Sequence, residues 1–367
     1  MKKFILFTII LIFLYTHHIF PEIKLNGEFV YNTFSVSSIA FSADGKFIIS
    51  GGLDSRLNIL DTKKFILLKA INNSEPVESV AVSSNSKFIL SGGRDGGLRL
   101  WNAKTFELLN YSETGMNEIF ALDFFNNSIF VAGGRNWLEI INTDNFKIIK
   151  KEFFNGFAVR DAKFTKNGRY MAIAVGNKIR IYKLEQSNLV SKLFNKNALN
   201  FIFLRELEFP DLIYTIDISP NSQYLIAAGN SSYLSLIRIE DLAHLWSIKA
   251  HDSMIWDIKF SPDNKFIATA GKDATIKFID TETGKILLII AGHPDEIYSL
   301  DFSPDGNYLA TACRDGKIRI WYISQNMNFK PDFLKINYLI IFIILFIILL
   351  MIKLLKKKKI SVKNWHI

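Results

Sequence analysis

One segment near the C-terminus, residues 293–321, recurs in weaker copies through most of the chain. Each copy contains an apolar residue that ends a short strand-like run and precedes a turn. These anchor residues are spaced by 40 to 42 residues, except for one step of 54. Repetition at this period is typical of architectures built from small supersecondary units, and it predicts a closed ring. The seven anchors are Phe41, Val82, Phe124, Phe164, Ile218, Phe260 and Phe302.

Each unit is predicted to contain four short strands. In the last unit, Ile297–Phe302 ends at a Ser-Pro-Asp-Gly turn, in which Pro presets φ and Gly accepts a positive φ. The third strand, Ile318–Trp321, alternates apolar and basic residues as half-exposed strands do. The last unit lacks a fourth strand, and the run Ile23–Tyr31 has no unit of its own. We therefore expect Ile23–Tyr31 to pair with Ile318–Ile323 and to close the ring, which removes exposed strand edges.

The repeat resembles that of the WD-repeat family of β-propellers, over residues 22–327. The resemblance implies an all-β, seven-bladed β-propeller closed by an N-terminal strand, with a buried hydrogen-bond network inside a blade. The matching residues are His293, Thr311, Asp315 and Trp321 in the last unit, His251, Thr269 and Asp273 in the sixth, and Ser91, Asp95 and Trp101 in the second. The third to fifth units lack most of these residues, so we expect less regular blades there.

A catalytic role for His293, Thr311 and Asp315 is disfavoured, because buried polar groups need partners and these three are expected to satisfy one another. The sequence also contains no His/Cys/Asp cluster with metal-ligand spacing, no Gly-x-Ser-x-Gly elbow and no phosphate-binding loop. We therefore expect neither an enzyme nor a cofactor, a metal or a small-molecule substrate.

The residue four before each anchor is predicted to line one face of the ring, the face opposite the chain ends. These residues are Ser37, Glu78, Phe120, Arg160, Tyr214, Trp256 and Tyr298. Four are aromatic and one is Arg, the residue types that dominate interface hot spots. The second turns add Arg94, Lys272 and Arg314 to the same face. For any one residue, packing against a neighbouring blade is an equal alternative; the clustering of the set favours binding of a protein or peptide partner.

Both ends of the chain are apolar. Residues 1–20 combine Lys2 and Lys3 with an apolar run, as a signal peptide or signal anchor does, and residues 337–355 predict a transmembrane helix followed by a basic cytoplasmic tail, 356–367. Nine positive charges lie in residues 1–20 and 333–367, which contain no acidic residue. The rest of the chain carries 35 basic and 35 acidic residues, so the net charge of +9 comes from the two ends. This distribution agrees with the positive-inside rule of membrane proteins and does not indicate nucleic-acid binding. The propeller is then expected on the non-cytoplasmic side, in the periplasm or a secretory lumen.

Three functional hypotheses remain open at this level. The first is a membrane-tethered scaffold that binds a protein or peptide on its membrane-distal face. The second is an envelope-assembly component that docks through the insert Glu185–Phe201, which lengthens the fourth unit and is otherwise a tolerated surface loop. The third, a propeller enzyme such as a quinone-dependent dehydrogenase, rests only on a fold analogy and on the turn Asp280–Lys285.

Overall fold

The computed structural model describes residues 23–186 and 199–323, and within these ranges it contains strands and turns but no helix. The first strand, β1 (Ile23–Phe29), belongs to the same sheet as the last three strands of the chain. The next two sheets are β2 (Val36–Phe41), β3 (Phe47–Gly52), β4 (Arg56–Asp61) and β5 (Ile66–Asn72), then β6 (Val77–Val82), β7 (Phe88–Gly93), β8 (Gly97–Asn102) and β9 (Leu108–Glu113).

A six-stranded sheet follows in the middle of the chain. It contains β10 (Ile119–Asn126), β11 (Ile129–Asn142), β12 (Ile148–Phe164), β13 (Tyr170–Val175), β14 (Lys178–Gln186) and β15 (Leu199–Glu208). The next two sheets are β16 (Ile213–Ile218), β17 (Tyr224–Gly229), β18 (Tyr233–Arg238) and β19 (His244–Lys249), then β20 (Ile255–Phe260), β21 (Phe266–Gly271), β22 (Thr275–Asp280) and β23 (Ile286–Ala291). The last sheet joins β1 to β24 (Ile297–Phe302), β25 (Tyr308–Cys313) and β26 (Ile318–Ile323).

The all-β propeller is confirmed, but the prediction of seven blades is wrong. The described residues form six sheets, because the third and fourth units share the 17-residue strand β12. Its first half pairs with β11, where Phe153 faces Trp137, and its second half pairs with β13, where Val159 faces Val175. No loop interrupts it, so these two units are joined in one hydrogen-bonded sheet.

The ring is built from inner strands that contact one another in sequence. These are β2, β6, β10, the second half of β12, β16, β20 and β24, and β24 in turn contacts β2. Every anchor residue lies at or near the end of one of these strands. The hydrophobic core is divided into clusters between neighbouring sheets; one of them combines Val36 and Ile48 of the first unit with Ile318 and Ile320 of the last strand.

Ring closure occurs as predicted. β1 pairs antiparallel with β26, from Ile23 opposite Ile323 to Phe29 opposite Ile318. Glu28 of β1 binds Lys317 at 2.6 Å and Arg319 at 2.9 Å, so ion pairs reinforce the ladder. The last sheet therefore takes its outer strand from the N-terminal part of the propeller.

Several predictions fall outside the described residues. These are the N-terminal signal segment (1–20), the transmembrane helix (337–355), the basic tail (356–367) and most of the insert. Within residues 23–186 and 199–323 there is no helix that could span a membrane. The base of the insert is described: β14 and β15 are longer than the third and fourth strands of the four-stranded sheets and remain paired as far as Gln186 and Leu199.

Candidate functional site

The predicted ring of side chains meets at one mouth of the central channel. All seven residues line a single cavity of about 390 Å³. Six of them are the second residue of their inner strand, and Arg160 is the second residue of the part of β12 that pairs with β13. In every unit the ladder with the next strand skips this residue. The register passes from Val36 to Ser38, for example, and from Ile255 to Asp257. The skipped residues are Ser37, Glu78, Phe120, Arg160, Tyr214, Trp256 and Tyr298.

These skipped residues are β-bulges, and the bulges explain why the side chains converge. A bulge leaves one residue unpaired and turns its side chain away from the regular alternation of the strand. In this ring the same bulge recurs in all seven inner strands, so seven side chains turn to the same opening. Sequence periodicity found these positions, but it could not reveal the bulges, because the residues on either side keep an ordinary strand pattern.

The aromatic members form a continuous stack along one side of the mouth. The guanidinium of Arg160 lies 4.2 Å from the ring centroid of Phe120 and 5.7 Å from that of Tyr214. Tyr214 stacks on Trp256 at 5.4 Å, and Trp256 meets Tyr298 edge to face at 5.7 Å. These rings are half-buried, while Arg160 is exposed. Mutual contacts therefore fix the stack before any partner arrives.

Ion pairs hold two of the three predicted rim cations. Arg94 donates to Glu78 at 2.8 Å, and Arg314 lies 3.2 Å from Glu296. Glu296 also accepts a hydrogen bond of 2.9 Å from the indole N–H of Trp256, which links the rim to the stack. Arg94 lines the cavity, whereas Arg314 and Lys272 do not. Lys272 is exposed, and its ammonium makes no ion pair with the described residues.

Deeper in the channel lies a set of charges that the sequence analysis missed. Acidic and basic side chains alternate at the position before the anchor in five consecutive units: Asp123, Lys163, Asp217, Lys259 and Asp301. Asp161 and Asp257, two positions earlier in their strands, line the floor of the cavity. A signal was present, since each of the five alternating charges stands between two apolar residues at the end of its strand.

The aspartates in this set tie neighbouring units together. The Asp123 carboxylate accepts a hydrogen bond from the amide of Phe164, Asp217 accepts one from Phe260, and Asp301 accepts one from Phe41, each at 2.8 Å. Each donor is the backbone N–H of the anchor residue in the following unit. Two of the bonds therefore join different sheets, and the one from Phe164 joins two units of the six-stranded sheet. We call these inter-unit hydrogen bonds latches, because they connect successive units around the channel.

Burial changes the proton affinity of these groups. It raises the pKa of Asp123 and of Asp301 to about 6, although nearby lysines oppose the shift. The pKa of Asp217 is also raised by burial. Among the described residues, no group of three or more His, Cys, Asp or Glu side chains could hold a metal ion. The charges alternate in sign and are occupied with one another, an arrangement suited to holding the ring together.

The predicted hydrogen-bond network is complete in the sixth unit. His251 binds Asp273 through Nδ1 at 2.9 Å and Thr269 through Nε2 at 2.8 Å. Burial would raise the pKa of Asp273, but the hydrogen bonds from His251 and Thr275 outweigh it and lower the pKa well below its usual value. The members of the network are hydrogen-bonded to one another.

In the last unit the predicted network is only partly present. Thr311 binds Nε2 of His293 at 2.9 Å and accepts the indole N–H of Trp321 at 3.1 Å. The prediction that Asp315 joins them is wrong: its carboxylate binds Arg319 at 2.6 Å, and Nδ1 of His293 has no partner among the described residues. A carboxylate prefers the charged guanidinium to a neutral imidazole.

The second unit shows the same replacement. The indole of Trp101 donates to Ser91 at 2.9 Å as predicted, but Asp95 binds Arg99 at 2.7 Å. Arg99 and Arg319 occupy the same position in their third strands, four residues after the aspartate. An arginine at this position is the sequence signal that would have predicted the exchange, because the sixth unit has Lys277 there and keeps the bond between His251 and Asp273.

The comparisons with known proteins agree with the repeat pattern. The family described as "WD domain, G-beta repeat" matches residues 24–61, 67–102, 243–280 and 284–322. Each match begins with an outer strand and continues through three strands of the next sheet. A search of curated proteins found no match.

Proposed function

We propose that this chain, a member of the WD-repeat family, is a scaffold that binds a protein or peptide partner at the mouth of its channel. One observation carries the proposal: the same β-bulge turns seven side chains to one opening. Interfaces are built around aromatic and arginine anchors with a polar rim. The stack of Phe120, Arg160, Tyr214, Trp256 and Tyr298, with ion-paired rim residues around it, has this composition.

The proposed activity is binding and not catalysis. The aromatic stack offers apolar area and hydrogen-bond donors, and the carboxylates below it are already used as latches between units. Membrane tethering is part of the proposal and is supported by the sequence of residues 1–20 and 337–355. In that arrangement the propeller lies on the non-cytoplasmic side and its channel mouth faces away from the membrane.

An in-cell crosslinking pull-down of the full-length chain tests this proposal. Trp256→Ala/Tyr298→Ala removes two rings from the stack, and we expect recovery of a specific partner to fall about tenfold or more. Tyr233→Ala, which removes an exposed tyrosine outside the cavity lining, is the matched control and should leave recovery unchanged. Equal recovery by all three proteins would contradict the proposal.

A second candidate is assembly through the insert side of the ring. The observation that favours it is the elongated hairpin of β14 and β15, which carries the insert on paired strands. Deletion of residues 187–198 would abolish partner recovery under this alternative. Under the channel-mouth proposal the same deletion would leave recovery intact.

A further inference from the structure

The outermost strand of each sheet has a free edge at the circumference of the ring. The strand order places β1, β5, β9, β15, β19 and β23 at the outer end of their sheets, so one row of their backbone N–H and C=O groups pairs with no strand among the described residues. Such rows are templates for pairing with another chain, and proteins commonly protect them with charged side chains. The composition of the outer strands therefore shows which edges are protected.

The edge of β23 (Ile286–Ala291) is the unprotected one. Its sequence, Ile-Leu-Leu-Ile-Ile-Ala, contains no charged or polar side chain. Ile286 is 41% exposed and Ile289 is 53% exposed, so part of this apolar surface faces solvent. Every other outer strand of the described residues carries at least one charge. Examples are Lys24 in β1, Lys69 in β5, Glu113 in β9, Lys151 in β12, Arg205 in β15 and Lys249 in β19.

The lack of charge makes β23 suited to pairing with a second copy of itself. Two antiparallel copies of one strand are related by a two-fold axis, so each residue near the axis faces itself or a close neighbour in the other copy. Any other outer strand would bring like charges together or remove a charge from water, and both are unfavourable. Lys69, for example, lies at the middle of β5. Self-pairing of β23 has neither cost.

The rest of the sheet already holds β23 in the extended conformation that pairing requires. Its ladder with β22 runs from Thr275 opposite Ala291 to Ile279 opposite Ile286, and the register skips only Leu287. The four residues from Leu288 to Ala291 are paired without interruption. Because the backbone is ordered in the single chain, a second strand can add to it with little loss of conformational entropy on this side.

We propose that β23 is a dimerisation edge, at which β23 of a second copy of this chain pairs antiparallel and extends the sheet. Two four-stranded sheets then become one eight-stranded sheet across the two-fold axis. Ile289 of each copy is covered by the other. No residue of β23 lines the cavity at the channel mouth, so this edge is separate from the proposed partner site.

Cysteine crosslinking of the full-length chain tests this inference. Facing Cα atoms in an antiparallel pair lie about 4.5–5.5 Å apart, within the span of a disulfide. Single cysteines are introduced in turn along β23; the native Cys313 is buried and should not compete. After mild oxidation, the yield of disulfide-linked dimer should peak inside the strand and fall towards its ends, because identical residues move apart with distance from the axis.

Tyr111→Cys is the matched control for this crosslinking. Tyr111 is 44% exposed and lies opposite Arg99 in β9, the position that Ile289 occupies opposite Lys277 in β23. Its yield of dimer should stay far below the peak of the β23 series. A series without a peak, or a peak no higher than the yield of Tyr111→Cys, would overturn the inference.

Charge variants separate self-pairing from a folding defect and from association through other parts of the chain. Ile289→Lys should weaken dimerisation about tenfold or more, measured by analytical ultracentrifugation of the full-length chain in detergent, because it brings two ammonium groups together. An equimolar mixture of Ile289→Lys and Ile289→Glu should restore the dimer, which two misfolded proteins would not do. A monomeric unmodified chain, or a dimer that Ile289→Lys leaves unchanged, would contradict the proposed edge.

Discussion

At the residue scale, one motif residue takes two different roles in this ring. His251 binds both Thr269 and Asp273, whereas His293 binds Thr311 alone. Burial and the nearby Arg319 lower the pKa of His293 to about 4, so this imidazole is neutral at physiological pH. The difference follows from the competing guanidinium and not from the histidine itself. A motif match therefore fixes the position of a residue more reliably than its partner.

Double-mutant cycles should detect this difference. We expect a coupling free energy of about 1–3 kcal/mol between His251→Ala and Asp273→Ala, since the two side chains bind each other. The coupling free energy between His293→Ala and Asp315→Ala should lie within about 0.5 kcal/mol of zero, because Asp315 binds Arg319 and not His293. Urea denaturation of the single and double variants measures both values. Equal couplings in the two units would contradict the assignment.

At the element scale, β1 is the strand on which closure of the ring depends. Its pairing with β26 could be predicted, because the last unit lacked a fourth strand and Ile23–Tyr31 had no other place. The ion pairs of Glu28 with Lys317 and Arg319 could not, since they depend on which long side chains reach across the ladder. Arg319 is buried, so its charge needs the partners that β1 and Asp315 provide.

Glu28→Gln should loosen the closing strand. Loss of the charged hydrogen bonds is expected to lower the free energy of unfolding by about 1–2 kcal/mol. Hydrogen exchange of the β1 amides should accelerate more than exchange in β16. Lys24→Gln, an exposed residue of the same strand, should change neither quantity. Unaltered β1 exchange in Glu28→Gln would show that backbone pairing alone holds the closure.

The number and boundaries of the sheets show where sequence reasoning failed. Periodicity located every inner strand, because anchors and turns repeat. It could not foresee that β12 runs without interruption through Asn155 and Gly156, where φ is +86° and the chain crosses from an outer to an inner strand. The bulges at the channel mouth were not predicted for a similar reason. A bulge depends on the register between two paired strands, and the hydrophobic pattern alone does not determine that register.

At the scale of the whole molecule, alternating charges surround the channel and latch one unit to the next. The carboxylates of Asp123, Asp217 and Asp301 each accept the anchor amide of the following unit. Because burial raises their pKa values, the ring binds protons more readily than the unfolded chain does. Stability of the propeller is therefore linked to pH through its centre.

Asp301→Asn should reveal this linkage. An unfolded aspartate loses its proton near pH 4, whereas folded Asp301 keeps it up to about pH 6. The stabilising contribution of the carboxyl is present below pH 4 and is lost as pH rises through 6. Between pH 4 and pH 7, the free energy of unfolding of the unmodified chain should therefore fall by up to about 3 kcal/mol relative to that of Asp301→Asn. Chemical denaturation at several pH values measures this difference.

Asp305→Asn serves as a control of opposite sign. Burial raises the pKa of the Asp305 carboxyl, but hydrogen bonds from Ser303 and Asn307 outweigh it and lower the pKa overall. The stabilising contribution of this carboxylate is lost as pH falls. The free energy of unfolding of the unmodified chain should therefore increase relative to that of Asp305→Asn as pH rises. The same pH trend in both variants would show that the Asp301 latch is not the source of the linkage.

The uninterrupted strand β12 also limits how this gene could be rearranged. Most units meet at loops, where new chain ends or an inserted domain would leave both neighbouring sheets whole. A break inside β12 would cut the strand that pairs with β11 in one unit and with β13 in the next. We therefore expect the third and fourth units to tolerate separation less well than units that meet at a loop.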